Sequence, residues 1–174
     1  MIGFEKYLIK GKKGHLIGIG GVSMSPLAEV LKGIGLDIHG SDMNESEKME
    51  YLRSLGVKVY IGHSAGNLDS DVDFVVRTAA VHDDNPEVIA AHERGIPVFE
   101  RTQAWGAIMR DYKNALCISG THGKTTTTSM STHILMAAQR DPTVMIGGTL
   151  PLLQAGHRVG KGDTIVMESC EYYN

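Results

Sequence analysis

Short apolar runs alternate with longer amphipathic stretches along this chain, and the alternation predicts its fold class. The runs are rich in Val, Ile and Leu, whereas the stretches between them carry apolar residues at helical spacing. Strands that alternate with helices are typical of a parallel sheet with helices packed on its faces. We therefore expect a doubly wound α/β protein. The predicted strands are residues 15–19, 37–39, 57–61, 73–78, 97–99, 115–119, 143–146 and 164–167.

The pattern breaks once, at the polar segment 111–114, and restarts directly after it. We place a domain boundary there, which gives residues 1–112 and 113–174 as two α/β domains. Only three predicted strands fall in the second domain, so we expect its sheet to be incomplete and the chain to be the front part of a longer protein. The predicted helices are residues 25–34, 45–55, 86–95, 102–110 and 124–139.

The segment that joins the strand at 115–119 to the next helix carries the clearest chemical signal. Gly120 and Gly123 allow a tight turn, and Lys124 and Thr125 open the helix. Backbone N–H groups in such a turn point into one concavity, where the helix dipole also favours negative charge. Lysine can then contact the outer phosphates, and the hydroxyl is a usual Mg²⁺ ligand. We predict a nucleotide phosphate site here and call residues 120–126 the phosphate loop.

The phosphate loop is shorter than a standard P-loop. Only Thr121 and His122 separate the two glycines, where the standard motif has four residues. A simple glycine turn beside a surface lysine is the alternative. His122 can hydrogen-bond a phosphate or a substrate carboxylate, or it can serve only to shape the turn.

A second glycine-rich segment, residues 18–24, follows the first predicted strand, and we call it the glycine turn. It resembles the G-x-G-x-x-G fingerprint, with Ser23 in place of the third glycine. Asp42 follows the second predicted strand, at about the distance expected of an acidic residue that binds a ribose. The segment indicates either a nucleotide diphosphate at a helix N-terminus or a tightly packed turn, and it does not separate NAD from other nucleotides.

Glu168 directly follows the last predicted strand, where a second Mg²⁺ ligand would be needed beside a phosphate loop. A solvated acidic loop is the alternative. The histidines show no H-x-x-x-H spacing, which argues against a zinc site.

Composition narrows the class of protein. The net charge is −3, from 17 basic and 20 acidic residues, which disfavours nucleic-acid binding. The apolar runs are too short to predict a membrane span. Two cysteines, Cys117 and Cys170, make no disulfide framework, so a reducing cytoplasm is expected. Cys117 lies on an apolar strand and is predicted to be an inert core thiol.

Taken together, the motifs resemble those of the Mur ligase family, in the family's order and through essentially the whole chain. The short glycine spacing of the phosphate loop is normal in that family, and His122 points to its alanine-adding branch. The motifs that carry the resemblance are Gly18-Ile19-Gly20-Gly21 with Met24-Ser25, Gly40-Ser41-Asp42, Asn85-Pro86-Glu87 with Gly95-Ile96-Pro97-Val98, and Gly120-Thr121-His122-Gly123-Lys124-Thr125-Thr126.

The resemblance implies a Rossmann-like UDP-sugar domain followed by the start of a P-loop ATPase-type central domain, truncated here. It implies an ATP- and Mg²⁺-dependent ligase of peptidoglycan precursor synthesis, and hence of cell-wall biogenesis, cell shape and cell division. Such an enzyme joins L-alanine to the lactyl carboxylate of UDP-N-acetylmuramate through an acyl phosphate. This part of it is expected to be inactive alone. A relative that attaches a ready-made peptide to the same UDP-sugar is the rival within the family.

The resemblance also assigns residues, with Lys124 and His122 as the catalytic pair and Thr125 and Glu168 as metal ligands. The acidic string that the family shows after Glu168 is altered at Cys170 and Tyr173. The implied ATP-binding residues are Gly120, Thr121, His122, Gly123, Lys124, Thr125 and Thr126. The implied UDP-sugar residues are Gly20, Gly21, Ser23, Met24, Ser41, Asp42, Thr78 and Ala79.

Two readings from other functional classes stay open at this point. A nicotinamide-dependent oxidoreductase could use the glycine turn and Asp42, but it leaves the phosphate loop without a role. A non-catalytic nucleotide-sensing module would need both sheets to be complete.

Overall fold

The structure is a computed structural model that describes residues 3–169, and it divides the chain into two compact units, residues 1–108 and 109–174. The altered acidic residues, Cys170 and Tyr173, lie outside the described residues. The predicted α/β class is confirmed in both units. The elements of the first unit are β1 (Lys13–Ile17), α1 (Met24–Ile34), β2 (Asp37–Asp42), α2 (Glu47–Ser54), β3 (Lys58–Ile61), β4 (Phe74–Arg77), α3 (Pro86–Glu93), β5 (Val98–Glu100) and α4 (Arg101–Asp111), the last of which runs into the second unit.

The first unit contains a five-stranded sheet in the order β3-β2-β1-β4-β5, and all its strands are parallel. The carboxyl ends of all five strands therefore share one edge of the sheet. The direction of the strand order reverses between β1 and β4, and in open α/β sheets ligands bind outside the carboxyl ends at such a switch point. The glycine turn, Asp42 and Thr78 all lie at this edge.

Apolar packing fixes both faces of this sheet. Leu16 and Ile17 on β1 are fully buried, as are Phe74, Val75 and Val76 on β4. Near-continuous apolar strands are what a parallel sheet covered on two faces requires. None of the helices between residues 3 and 169 is long and apolar enough to cross a membrane.

The second unit contains a four-stranded sheet in the order β6-β9-β7-β8, in which only the β7–β8 pair is antiparallel. Our prediction of three strands is wrong because β7 continues through Gly147 and Gly148 and β8 returns beside it. A Cβ atom on Gly156 would lie 3.0 Å from the carbonyl oxygen of Gly148, so glycines allow the two backbones to approach. The elements are β6 (Asn114–Ile118), α5 (Lys124–Ala137), β7 (Thr143–Leu150), β8 (Ala155–Arg158) and β9 (Thr164–Glu168).

Cys117 is exposed, so our prediction of a core thiol is wrong. It lies on β6, an edge strand, whereas α5 packs mainly on β7 and β9. An apolar strand read from sequence does not reveal which side of the sheet a helix covers.

Candidate functional site

The glycine turn is fastened to the neighbouring strand by its own backbone. The N–H groups of Gly18 and Ile19 both donate to the carbonyl oxygen of Ser41, at 2.8 and 3.0 Å. The N–H of Gly21 donates back to the carbonyl oxygen of Gly18 at 3.0 Å. The end of β2 therefore sets the path of the chain after β1.

Asp42 supports the glycine turn directly. Its Oδ2 accepts the N–H of Gly20 at 2.9 Å, while Oδ1 lies 3.4 Å from the N–H of Asn44. A Cβ atom on Gly20 would lie 3.0 Å from Asp42 Oδ2, so the carboxylate needs a glycine at this position. Asp42 is the residue predicted to bind a ribose, and one of its two carboxylate oxygens is thus already hydrogen-bonded within the protein.

The start of α1 leaves two backbone donors for a ligand. Met24 and Ser25 donate their N–H groups to the carbonyl oxygen of Gly21. The N–H groups of Val22 and Ser23 have no hydrogen-bond partner among residues 3–169. An anion at the helix N-terminus would meet these two groups.

Thr78 lies beside the glycine turn, and Ala79 follows it at the surface. A Cβ atom on Gly18 would lie 3.2 Å from the Thr78 methyl group, so the strand end of β4 packs against the turn. Ala79 is exposed. The structure therefore brings Gly20, Gly21, Ser23, Met24, Asp42 and Thr78 to one edge of the sheet.

Arg101 is a site residue that sequence reasoning missed. Its guanidinium donates to the hydroxyl of Ser23, and Trp105 Nε1 donates to the Ser23 carbonyl oxygen at 3.3 Å. Arg101 forms no ion pair with any acidic side chain in the part of the chain that the structure describes. By contrast, Arg77 at the same edge pairs with Glu100 and Asp83. Among residues 3–169, the positive charge that Arg101 brings to the glycine turn is thus not paired with a carboxylate.

Ser41 is buried, and its hydroxyl is hydrogen-bonded to a residue on the side away from the predicted site. Its Oγ donates to Glu87 Oε2 at 2.6 Å, and Glu87 is itself fully buried. His63, Ser64 and Asn67 also contact the Glu87 carboxylate, and we call these five residues the Glu87 network. To contact a ligand through its side chain, Ser41 would have to give up its bond to Glu87.

The Glu87 network holds a charged carboxylate. Burial alone would raise the pKa of Glu87, but the neighbouring His15, Ser41 and Asn67 outweigh it and lower the pKa to about 2. His15 Nε2 lies 3.5 Å from Glu87 Oε2. Above this pH the network therefore carries a negative charge that its donors compensate.

The Glu87 network contains the residue types of a hydrolytic triad but not its geometry. His63 Nδ1 lies 3.0 Å from Ser41 Oγ, yet that hydroxyl donates to Glu87 rather than to the imidazole. A serine nucleophile must give its proton to the histidine and must reach the substrate. Buried Ser41 does neither, so the network supports the sheet edge.

The phosphate loop of the second unit differs from the glycine turn in its backbone hydrogen bonds. Gly123 has φ of +78°, in the left-handed region that favours glycine, and α5 begins at the next residue. No backbone N–H of residues 120–126 has a hydrogen-bond partner among the described residues, and the first helical bond is from Thr127 to the Gly123 carbonyl oxygen at 2.9 Å. A run of unpartnered N–H groups before a helix is what a phosphate cradle offers.

The side chains of the phosphate loop are available to a ligand. Thr121, His122 and Thr126 are exposed. Lys124 Nζ donates to the carbonyl oxygen of Gly120, so the ammonium lies over the loop that precedes it. In this position the lysine can exchange a carbonyl oxygen for a phosphate oxygen.

Thr125 and Glu168 meet behind the phosphate loop. Thr125 Oγ1 lies 2.9 Å from Glu168 Oε1 and 3.1 Å from Oε2. The N–H of Gly147 donates to Oε2 at 2.8 Å. Gly147, like Arg101, was not predicted, although a glycine in a strand does indicate a close approach by another group.

The Thr125–Glu168 pair suits a hard cation. A hydroxyl and a carboxylate supply oxygen ligands, which Mg²⁺ prefers, and Mg²⁺ usually takes few protein ligands and completes its shell with water and phosphate. No three His, Cys, Asp or Glu side chains among residues 3–169 form a metal cluster. The residues therefore fit Mg²⁺ bound together with a nucleotide.

Comparison with known proteins identifies the family to which the chain is similar. The model of the Mur ligase family, catalytic domain, matches residues 13–113. A UDP-N-acetylmuramate–L-alanine ligase of Clostridium novyi is 48% identical over 161 residues, which are 92% of this chain and 35% of that protein.

Two solved structures are similar over most of the chain. A UDP-N-acetylmuramate–alanine ligase from Thermotoga maritima has a TM-score of 0.80 at 37% sequence identity. The match covers 90% of this chain and 36% of the Thermotoga chain. The second structure is a UDP-N-acetylmuramate:L-alanyl-gamma-D-glutamyl-meso-diaminopimelate ligase from Neisseria meningitides, with a TM-score of 0.82 at 30% sequence identity. The match covers 93% of this chain and 53% of the Neisseria chain.

The chain spans about a third of the length of the curated relatives it matches, 35% for the Clostridium protein. The match of the family model and the similarity over both units lead to one assignment. This chain belongs to the Mur ligase family.

Proposed function

We propose that this chain carries the UDP-sugar unit and the ATP phosphate loop of a ligase that joins L-alanine to UDP-N-acetylmuramate. In this proposal residues 1–112 are the UDP-sugar domain and residues 113–174 belong to the central ATP-binding domain. The observation that carries the proposal is the phosphate loop, in which none of the seven consecutive N–H groups of residues 120–126 has a partner among residues 3–169, together with the Thr125–Glu168 pair. A dehydrogenase has no use for this second site.

The proposed reaction has two steps. The lactyl carboxylate oxygen attacks the γ-phosphorus of ATP, and the bond to ADP breaks, which gives an acyl phosphate. The amine of L-alanine then attacks the acyl carbon, phosphate leaves, and the nitrogen loses a proton to form the amide. Carboxylates are poor acylating agents, so the first step is needed to supply a leaving group.

The phosphate loop serves the first step through charge and position. The N–H groups of 120–126 would bind the phosphate oxygens, and Lys124 would neutralise charge that develops as the phosphoryl group moves. Thr125 and Glu168 would hold Mg²⁺, which would supply positive charge to neutralise the phosphates. His122 is exposed and would donate to a phosphate or to the substrate carboxylate.

The first unit would bind the nucleotide part of the UDP-sugar. The N–H groups of Val22 and Ser23, which have no partner among residues 3–169, and the guanidinium of Arg101 would contact the diphosphate. Asp42 would contact the ribose with its less committed oxygen, while Thr78 and Ala79 would border the sugar. Ser41 would act from behind, through its bond to Glu87.

One observation favours L-alanine over a peptide as the second substrate. The relative named for L-alanine is 48% identical to this chain, whereas the solved structure named for a peptide substrate is 30% identical. Cytoplasmic location follows from the proposed pathway, because its nucleotide substrates are cytoplasmic.

The test is calorimetric titration of this chain with UDP-N-acetylmuramate and, separately, with NADH. We expect the UDP-sugar to bind and NADH not to bind. The Asp42→Ala variant tests the site itself, because loss of the hydrogen bond to Gly20 should weaken binding of the UDP-sugar. Binding of NADH in place of the UDP-sugar would refute the proposal and favour a dehydrogenase.

A further inference from the structure

Glu168 is held from two directions by groups of different elements. It ends β9 and is nearly buried, with 8% of its surface exposed. From the start of α5 the Thr125 hydroxyl reaches its carboxylate, and from β7 the Gly147 N–H reaches Oε2 at 2.8 Å. The orientation of this carboxylate is therefore fixed by the backbone of a strand as well as by a side chain.

The carboxylate occupies the space in which a side chain at position 147 would lie. A Cβ atom on Gly147 would be 3.0 Å from Glu168 Oε2 and 3.1 Å from Oε1, which is closer than a relaxed contact. The next residue differs, because a Cβ atom on Gly148 would meet only the Thr125 methyl group at 3.8 Å. A side chain at position 147 would therefore require the Glu168 carboxylate to shift, whereas one at position 148 would not.

Glu168 has no cationic partner among the residues that the structure describes. In residues 3–169, no Lys, Arg or His forms an ion pair with it, and its contacts are a hydroxyl and an N–H group. A nearly buried carboxylate without a cationic partner is costly unless a cation binds there. Thr125 Oγ1 lies near both carboxylate oxygens, at 2.9 Å from Oε1 and 3.1 Å from Oε2, and only Oε2 also accepts the N–H of Gly147.

We propose that Gly147 is the positioning residue of the cation site, and that its N–H holds Oε2 so that Oε1 serves the cation together with Thr125. The inference rests on the metal role of Glu168 in the proposed function. Groups that orient a metal ligand affect metal binding strongly, and their loss typically weakens affinity about 10- to 100-fold. Gly147 would act without contacting the metal.

The test compares Gly147→Ala with Gly148→Ala in this chain. Both variants add one methyl group to neighbouring positions of β7, but only the first displaces the carboxylate. Mn²⁺ binding in the presence of ATP is followed by electron paramagnetic resonance, with thermal unfolding as the check on folding. We expect Gly147→Ala to bind Mn²⁺ about tenfold more weakly and Gly148→Ala to stay within about twofold of the unsubstituted chain.

Each outcome decides a different point. Equal affinities in the two glycine variants would overturn the role of Gly147 while leaving the metal role of Glu168 in place. Failure of the unsubstituted chain to bind Mn²⁺ with ATP would overturn the metal role itself, and the inference with it. If Gly147→Ala does not fold, Glu168→Ala replaces it, and the Gly147 amide must then exchange with solvent several-fold faster than in the unsubstituted chain. Unchanged exchange would overturn the inference.

Discussion

The glycine turn and the phosphate loop both join a parallel strand to the start of a helix, yet they use their backbone N–H groups differently. In the glycine turn, Gly18, Ile19, Gly20 and Gly21 all donate to protein oxygens, which leaves Val22 and Ser23. In the phosphate loop, no N–H of residues 120–126 has a partner among the described residues.

The difference shows that glycine content alone does not define a phosphate site. The glycine turn is held in shape by Ser41 and Asp42 without any ligand, so it presents a rigid surface with few donors. The phosphate loop presents many donors, and its shape depends less on neighbouring strands. In the proposed function, the UDP-sugar and ATP would therefore be recognised by two different mechanisms.

The largest expected effect separates the two sites. Lys124→Ala should weaken ATP binding by about a thousandfold, since charge-assisted bonds to phosphate are each worth about 1.5–3 kcal/mol and the ammonium would make more than one. UDP-sugar binding should not change. Calorimetry of this chain with each ligand measures both, and exposed Lys113→Ala is the charge-matched control. A parallel loss of UDP-sugar affinity would show that the two sites are not independent.

A second prediction concerns the pH dependence of stability and rests on His39, which lies on β2 in the first unit. Burial, followed by the charge of His15, lowers the pKa of His39 from 6.5 to about 4. The unfolded chain then binds more protons than the folded chain between these values, so stability is present above pH 6.5 and is lost as the pH falls towards 4. The loss is about 3 kcal/mol for one group.

The His39→Gln variant tests this prediction, because a neutral amide removes the titration. Urea unfolding between pH 7 and 4 should show a shallower pH dependence in the variant, whatever its stability at pH 7. His15, Asp37, Lys58 and Asp69 act on the same imidazole and stay unchanged. If both proteins lose stability equally, His39 is not the cause.

The smallest expected effect would sharpen the account of the glycine turn. Arg101→Met should weaken UDP-sugar binding about tenfold, because one charge-assisted bond to the diphosphate is lost. ATP binding should be unaffected. Arg53→Met changes the net charge equally and removes an exposed pair with Glu45, so it serves as the control. An equal effect of the two substitutions would mean that Arg101 acts only through long-range charge.

The alternation of strands and helices made the fold class predictable, because periodicity depends on which face of each element is buried. β8 was missed because a prediction from periodicity fails where glycines replace apolar side chains. Gly147, Gly148 and Gly156 interrupt the apolar pattern, and the close approach of two backbones leaves no periodic signal in side chains. The exposure of Cys117 escaped prediction because edge position is a property of the whole sheet.

The candidate sites were predictable where the chemistry lies in one short segment and not elsewhere. Lys124 and Thr125 could be found because the loop and helix start are contiguous. Arg101 lies 78 residues from Ser23 along the chain, and the fold alone brings them together. Glu87 was singled out as part of a helix start, and its link to Ser41 and His63 needs three segments to be placed at once.

The exposed thiol of Cys117 lies on β6, three residues before the phosphate loop begins. A fluorophore attached there would report on the environment of that loop from outside the ligand contacts. With Cys170 replaced by serine, labelling would be confined to this one position, since the chain has two cysteines. Nucleotide exchange in the second unit could then be followed in real time while the first unit carries no label.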